Sequence, residues 1–358
     1  MQYYKIVVLK HDMCRMKGAD ILEKGLCDFD CNLSPIAKLL EDNGSLGSNV
    51  YQMHFNKGAL YNIAGNIAMH DSHIKNIILH PLYYLPNNYD FSEKIPVLFN
   101  FHGGGGYAQN FIESNDMRPI ADTAQFIAVY PQGAVDYNGA DPGTEPSTSW
   151  LHKAPTTHND IYFIEAIIDT LKTLYNIDEE RVYACGYSEG GIFTYELACR
   201  LNYKFAAIAS VSGSMFTESY RQDYGFGPCS PLHPTAVMLI PGTSDANFHS
   251  NYNGFEPYYL SASDITNYWS TFNNTDVQPI IINVPNINQN DGSTVERNIW
   301  LNGDGCVEVL ELKVINGGHD WPGSFGNMDI SASEEIWRFV SKFSLQCVYF
   351  RSLWNKYF

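Results

Sequence analysis

The sequence predicts an α/β fold with a mostly parallel central sheet and helices on both faces. Short apolar runs recur along the chain and are separated by amphipathic segments, which is the pattern of alternating strands and helices. The runs are residues 95–101, 126–131, 181–185, 206–211 and 236–240. Each run is mostly apolar and β-prone, as is typical of strands buried on both faces of a parallel sheet.

Helices are predicted between these strands from their apolar periodicity. The longest is capped by Asn159 or Asp160, and its apolar residues recur at helical spacing as far as Leu174. Shorter helices are predicted at residues 117–124, 192–199, 265–272 and 333–343. Because strands alternate with helices along the chain, the sheet is expected to be mostly parallel and covered on both faces.

The remaining elements are less regular. Residues 34–40 join a Ser-Pro pair to an apolar run, which predicts a short helix with the proline at its first position. Residues 61–64 and 77–85 predict early strands. Residues 273–304 are polar and predict a long loop with an Asp-Gly turn, whereas residues 307–315 alternate as a strand does.

Composition limits the classes of partner. The chain has 358 residues, of which 45% are hydrophobic and 17% are charged, so a packed core is expected and disorder of the whole chain is not. The formal net charge of −17 argues against binding nucleic acid or anionic membranes. No apolar span approaches about 18 residues, so no transmembrane helix is expected. The N-terminal apolar run is too short for a signal-peptide core.

The eight cysteines form no regular framework. Cys27 and Cys31 have a spacing found in metal sites, but no second Cys or His pair follows at a suitable distance, so no metal is expected. Cys185 and Cys199 lie in a predicted strand and the helix after it, and both are expected to be ordinary core residues.

The most informative stretch is residues 186–191, Gly-Tyr-Ser-Glu-Gly-Gly. It contains G-x-S-x-G between a predicted strand and a predicted helix, the context in which a serine is presented on a sharp turn as a nucleophile. The flanking glycines let strand and helix pass close to the turn. A Gly-Ser loop entering any helix is the alternative, so the motif needs partners before Ser188 can be assigned a role.

Two later loops provide those partners in the order Ser, Asp, His. Asp245 follows a buried strand, and His319 lies in a glycine-rich loop just after another strand. A serine nucleophile needs a histidine as base and a carboxylate that orients the histidine. Asp320 is a weaker candidate for the acid because it is adjacent to His319, and His249 is the main rival base.

A second glycine-rich loop, residues 102–106, directly follows the strand at 95–101. Such a loop can place a backbone N–H close to a developing oxyanion, and the residue after the nucleophile, Glu189, is expected to supply another. A phosphate-binding loop is excluded here because no Gly-Lys-Ser/Thr follows. No cofactor is predicted.

Residues 77–343 resemble the poly(3-hydroxybutyrate) depolymerase-like esterases, a group that overlaps the feruloyl and acetyl-xylan esterases of the α/β-hydrolase fold. The matching stretches are residues 101–106, 127–133, 159–163, 177–183, 186–191, 205–209, 242–245 and 318–323. The resemblance implies that Ser188, Asp245 and His319 form a catalytic triad, and that Gly104 and Glu189 supply the oxyanion N–H groups. It also divides the chain into an N-terminal extension of unknown role (1–60), an α/β-hydrolase catalytic domain (61–345) and a C-terminal tail (346–358).

The chain also departs from that family. The residue after the nucleophile is often Asn or Ala, whereas here it is Glu189, whose carboxylate disfavours a nearby oxyanion unless it points away. Members of that family often have a cysteine in the region of Thr275 that pairs with one near Cys306. Here that cysteine is missing, so Cys306 is expected to be unpaired or bonded to Cys229. The family is usually exported, so the resemblance implies a secreted or periplasmic protein, although no signal peptide is evident.

The resulting hypothesis is a serine carboxylic-ester hydrolase acting on short-chain acyl, feruloyl or acetyl esters of small molecules or oligosaccharides. The alternatives are a depolymerase of hydroxyalkanoate oligomers, a serine peptidase or acyltransferase on the same fold, and a binding protein with a dead site. His102, Trp150 and Trp321 are the candidate pocket residues, and burial in the core is the competing interpretation of each tryptophan. The sequence does not predict an oligomeric state.

Overall fold

The computed structural model describes residues 36–39, 49–54, 81–136, 147–151 and 159–347. Within them, the main sheet consists of β1 (Ile36–Leu39), β2 (Val50–His54), β3 (Leu82–Tyr84), β4 (Ile95–Phe101), β5 (Ile127–Tyr130), β8 (Ile177–Tyr187), β9 (Ala207–Val211), β10 (Ala236–Ile240), β11 (Ile280–Asn283), β12 (Thr294–Trp300) and β13 (Val309–Ile315). A separate hairpin consists of β6 (Ala134–Asp136) and β7 (Ser147–Ser149). The helices are α1 (Ala108–Ser114), α2 (Arg118–Ala124), α3 (Asn159–Leu174), α4 (Glu189–Arg200), α5 (Glu218–Asp223), α6 (Ala262–Phe272) and α7 (Ala332–Val340).

The strands of the main sheet are ordered β1-β2-β3-β5-β4-β8-β9-β10-β13-β12-β11. The six strands from β5 to β13 in that order are parallel to their neighbours. The outer strands on both sides pair antiparallel. Parallel strands end at the same edge of a sheet, so the loops after β4, β8, β10 and β13 meet there.

Helices cover both faces of this sheet, as the sequence predicts. Successive residues of a strand point to opposite faces, and in β4 Phe99 belongs to one hydrophobic cluster and Leu98 to the other. The first cluster includes residues of α3, α4 and α6, and the second includes residues of α1, α2 and α7. The predicted α/β fold with a parallel centre is therefore confirmed.

Two of the predicted local structures are wrong. Residues 36–39 form a strand, not a helix, because they pair antiparallel with β2 and this pairing outweighs the helical pattern of so short a run. The predicted loop at 273–304 contains β11 and β12. All four residues of β11 are exposed, so this edge strand lacks the alternation of apolar and polar residues by which a half-buried strand is recognised. The predicted strand at 61–64 lies outside the described residues.

β1 and β2 lie in the expected N-terminal extension, and β2 joins the main sheet beside β3. The division of the chain at residue 60 stays a proposal, as does a separate tail after residue 345. None of the helices in the described ranges is long and apolar enough to cross a membrane.

A disulfide joins Cys199, near the end of α4, to Cys229. The expectation that Cys199 is an ordinary core residue is therefore wrong, because a bonding partner 30 residues away cannot be identified from spacing alone. Cys185 is a buried free thiol, as predicted. Cys306 is exposed and unpaired, which excludes its pairing with Cys229. The Cys27 and Cys31 pair lies outside the described residues.

Candidate active site

Ser188 lies on a sharp turn between β8 and α4. Its backbone has φ 54° and ψ −121°, a strained conformation for a residue with a side chain. The turn is tight enough to require glycine on both sides. A Cβ on Gly186 would lie 2.2 Å from the carbonyl oxygen of Gly190, and a Cβ on Gly190 would lie 2.2 Å from that of Phe101. The G-x-S-x-G pattern is thus a consequence of packing strand and helix against one turn.

The structure brings Ser188, His319 and Asp245 together. His319 Nε2 lies 2.9 Å from Ser188 Oγ, and His319 Nδ1 lies 2.7 Å from Asp245 Oδ2. Asp245 is only 3% exposed and receives the N–H of Nδ1, which leaves Nε2 free to accept the proton of the serine hydroxyl. The three side chains thus lie in the hydrogen-bonded order expected of a nucleophile, a base and an orienting acid, and their catalytic roles stay a prediction.

Ser250 belongs to the same network and was not anticipated. Its Oγ lies 2.6 Å from Asp245 Oδ2, to which it donates, and 2.9 Å from His319 Nδ1. The other carboxylate oxygen, Asp245 Oδ1, accepts the backbone N–H of Asn247 at 2.9 Å. Both oxygens of the acid are therefore held in place. Nothing in the polar loop after β10 distinguishes Ser250 from its neighbours in the sequence.

The loop that carries His319 is held by the residue before the nucleophile. The hydroxyl of Tyr187 donates to the backbone carbonyl of His319 at 2.7 Å. Burial raises the pKa of Tyr187 above its ordinary value, so this hydroxyl keeps its proton and remains a donor at neutral pH. Tyr187 therefore fixes the position of the base relative to Ser188.

The rival residues lie elsewhere. His249 Nδ1 is 2.7 Å from the hydroxyl of Tyr259, and Asp320 Oδ2 accepts the backbone N–H of Gly318 at 2.9 Å. Asp320 thus shapes the turn before His319. Of these histidines and carboxylates, His319 contacts Ser188 and Asp245 contacts His319, so both rivals are less well placed.

The glycine-rich loop after β4 lies against the turn that carries Ser188. A Cβ on Gly103 would lie 3.2 Å from Ser188 Cβ, and a Cβ on Gly104 would lie 2.7 Å from Glu189 Oε2. Glu189 is the first residue of α4, where backbone N–H groups point out of the helix and the helix dipole favours negative charge. Gly104 thus lies beside the side chain of Glu189, which directly follows Ser188 in the chain.

The side chain of Glu189 is buried, with 8% of its surface exposed. Its Oε1 accepts two hydrogen bonds from the segment that contains β7, one from Ser149 Oγ at 2.6 Å and one from the Trp150 N–H at 3.0 Å. These two donors hold Oε1 toward β7, whereas the other oxygen, Oε2, faces Gly104.

His102 does not have the predicted pocket role. It is 1% exposed, and its ring is enclosed by backbone partners. The Gly133 N–H donates to His102 Nε2 at 2.9 Å, so the proton is on Nδ1, which donates to the carbonyl of Gly103 at 2.7 Å. His102 therefore shapes the glycine-rich loop from behind.

The two tryptophans are also buried, which makes their predicted role as pocket walls wrong. Trp150 has 0% exposure, stacks on Phe193 and donates from Nε1 to the His102 carbonyl at 2.8 Å. Trp321 has 1% exposure and donates from Nε1 to Ser333 Oγ at 3.2 Å. Both large rings fill the core beneath the site.

Together, a parallel sheet, a serine on a strained strand-to-helix turn and a hydrogen-bonded His-Asp pair define the class of α/β-hydrolases. Residues 79–307 match the sequence profile of the esterase family, which is described as "Putative esterase". The chain belongs to this family, and the resemblance predicted from the motifs is confirmed. The description of the family agrees with the esterase class that the motifs predict. The matched range includes Ser188 and Asp245 and ends before His319.

Two relatives and one solved structure illustrate the similarity. A bifunctional acetylxylan esterase/xylanase of Neocallimastix patriciarum is 29% identical over 73% of this chain, and the chain spans 33% of the length of that relative. A probable feruloyl esterase C of Aspergillus niger is 24% identical over 71% of this chain and 81% of the relative. A "putative dipeptidyl aminopeptidase IV" structure from Bacteroides ovatus has a TM-score of 0.52 at 14% identity, covering 86% of this chain and 38% of the other, which shows the fold alone.

Proposed function

We propose that this protein hydrolyses carboxylic esters through a Ser188–His319–Asp245 triad and an acyl-enzyme. The observation that supports this most directly is the chain of hydrogen bonds from Ser188 Oγ through His319 to Asp245, at 2.9 and 2.7 Å. A nucleophile, a base and an orienting acid in hydrogen-bond contact are what acyl transfer requires.

In the first step Ser188 Oγ attacks the ester carbonyl while its proton passes to His319 Nε2. The new negative charge on the carbonyl oxygen is stabilised by the backbone N–H groups of Gly104 and Glu189. Asp245 stabilises the imidazolium, which then donates its proton to the departing alkoxide, so an alcohol leaves and the acyl group remains on Ser188. Water, deprotonated by His319, releases the acid in a second cycle of the same steps.

The substrate class is proposed as short-chain acyl, acetyl or feruloyl esters. The two relatives described above are named for acetylxylan and feruloyl esters. In this chain, three exposed aromatic rings belong to loops of the site: Tyr107 follows the glycine-rich loop, Phe248 lies between Asp245 and Ser250, and Phe325 follows His319. Exposed rings offer apolar faces on which an aromatic acyl group or a sugar ring can stack. Hydroxyalkanoate oligomers remain the alternative substrate.

The test is Ser188→Ala in the full chain, assayed with p-nitrophenyl acetate, methyl ferulate and acetylated xylan. Loss of the hydroxyl is expected to remove esterase activity and labelling by a fluorophosphonate probe while the fold, measured by circular dichroism, is retained. The matched control is Ser92→Ala, which should behave as the parent. Ser92 is exposed, and its hydroxyl donates a hydrogen bond to Asp90.

Full activity in Ser188→Ala would contradict the proposal. A parent protein that is labelled by the probe but hydrolyses none of the esters would indicate a peptidase or acyltransferase, to be separated by a peptide panel and by adding alcohol acceptors. A parent that is neither labelled nor active would indicate a binding protein.

A further inference from the structure

We propose that the side chain of Glu189 and the β7 segment act together as a positioning element for the oxyanion hole. This element, the brace, consists of Thr148, Ser149, Trp150 and Glu189. The inference rests on the proposed function, because it assigns to the brace the alignment of the two N–H groups that would stabilise the oxyanion. None of the four side chains of the brace is proposed to contact the substrate.

The brace holds the glycine-rich loop through three hydrogen bonds. The Gly105 N–H donates to the Thr148 carbonyl at 2.7 Å, and Thr148 Oγ1 donates to the Gly106 carbonyl at 2.5 Å. Trp150 Nε1 donates to the His102 carbonyl at 2.8 Å. The three bonds fix the loop on both sides of Gly104, so the position of its N–H depends on where β7 lies.

The same segment is tied to the other half of the oxyanion hole by Glu189. One carboxylate oxygen, Oε1, accepts both the Ser149 hydroxyl and the Trp150 N–H, at 2.6 and 3.0 Å. Glu189 begins α4, so these two bonds connect β7 to the helix that follows the nucleophile. Through the brace, the loop that carries Gly104 and the helix that carries the Glu189 N–H become one unit.

A carboxylate suits this position for two physical reasons. It accepts two hydrogen bonds at one oxygen, and charge-assisted bonds are stronger than neutral ones. Its place in the first turn of a twelve-residue helix also lets the helix dipole offset part of the cost of burial. The other oxygen, Oε2, fills the space where a Cβ on residue 104 would lie, 2.7 Å away, so Gly104 and Glu189 are packed to fit each other.

The brace is expected to matter in the transition state more than in substrate binding. The oxyanion forms only as the carbonyl is attacked, and loss of one donor from such a site typically lowers kcat by about 10²–10³-fold. A brace that is loosened shifts the donors without removing them, so a smaller loss, of about tenfold to a hundredfold, is expected. Because the ground-state ester makes little use of these donors, KM should change by less than about threefold.

The experiment compares Glu189→Ala, Glu189→Gln and Ser149→Ala with the parent, using p-nitrophenyl acetate. Active sites are counted with the fluorophosphonate probe so that kcat refers to correctly folded protein. Glu189→Ala should lose at least tenfold in kcat. Glu189→Gln, whose carbonyl can still accept both bonds, should recover most of that loss. Ser149→Ala should lose less than Glu189→Ala, and the double Ala variant should lose much less than the product of the single effects, since both remove the same link.

Three results would overturn the inference: an unchanged kcat in Glu189→Ala, equal losses in the Ala and Gln variants, or a rise in KM with kcat unchanged. If Glu189→Ala does not fold, the conservative Ser149→Ala variant decides alone, since an unchanged kcat there rejects the brace. These results are distinct from failure of the proposed function, in which Ser188→Ala would stay active whatever happens at Glu189.

Discussion

Replacement of Asp245 by Asn tests the assignment of the acid, because the surrounding hydrogen bonds dictate how the amide must sit. Asp245 Oδ1 accepts the Asn247 N–H at 2.9 Å, so the carbonyl oxygen of an asparagine would be retained at that position. The amide nitrogen would then occupy the position of Oδ2, 2.7 Å from His319 Nδ1. An NH₂ group there needs an acceptor, so His319 would be driven to the tautomer with its proton on Nε2.

That tautomer cannot accept the proton of Ser188, because Nε2 already carries one. The expected loss in kcat at neutral pH is about 10⁴-fold, the size found when this change fixes the wrong tautomer in a serine triad. The change should leave KM and the thermal midpoint nearly unaffected, because the side chain keeps its size, the Asn247 contact is retained, and the NH₂ group can donate to Ser250 Oγ and His319 Nδ1. The assay is the rate of p-nitrophenyl acetate hydrolysis across pH 6–9, with the amount of folded protein matched by circular dichroism.

Asp320→Asn is the matched control, since Asp320 is the neighbour of the base and the rival acid. Asp320 Oδ2 accepts the Gly318 N–H, and an asparagine oxygen can replace that acceptor. We expect a loss of less than about tenfold. If Asp245→Asn kept its rate to within tenfold, or if Asp320→Asn were the more damaging change, the reasoning from the Asn247 contact would be refuted.

Two further predictions concern stability. Glu196 is fully buried and contacts both Arg200 and Arg221. Glu196→Gln removes the negative charge from this buried cluster and should lower the free energy of unfolding, measured by urea denaturation, by about 3–5 kcal/mol. A loss below about 1 kcal/mol would show that the cluster is solvated. Burial raises the pKa of Glu311 above its ordinary value of 4.5, so its contribution to stability is full below that value and is lost as pH rises through the pKa of the folded state. Glu311→Gln should therefore raise the thermal midpoint at pH 8, with the gain shrinking toward pH 4, whereas exposed Glu93→Gln should show neither effect.

The central sheet could be predicted because its strands are buried on both faces and therefore appear as continuous apolar runs. The turn at Ser188 could be predicted because Gly186 and Gly190 cannot be replaced. A Cβ at either position would lie 2.2 Å from a backbone carbonyl oxygen. The positions of Asp245 and His319 follow from the same logic, since both lie just after strands that end at one edge of the sheet.

The errors share a different cause, which is dependence on partners distant in sequence. β1 is a strand only because β2 lies beside it, and Cys199 is a half-cystine only because Cys229 reaches it. Ser250 belongs to the site because its hydroxyl lies 2.6 Å from Asp245 Oδ2, and no sequence pattern predicts that contact. The tryptophans at 150 and 321 follow polar or catalytic loops in sequence, yet each turns inward, since a large ring gains most free energy by full burial.

The triad is assembled across large sequence separations: Ser188 and His319 are 131 residues apart, and Asp245 and His319 are 74 apart. These residues meet only after the parallel strands β8, β10 and β13 have found their places, and such non-local pairing is slow because long loops must close first. No fragment lacking one of these strands can carry the site. Recovery of the proposed esterase activity during refolding would thus report the last assembly step, and a lag between recovered secondary structure and recovered activity would measure the time the sheet takes to form.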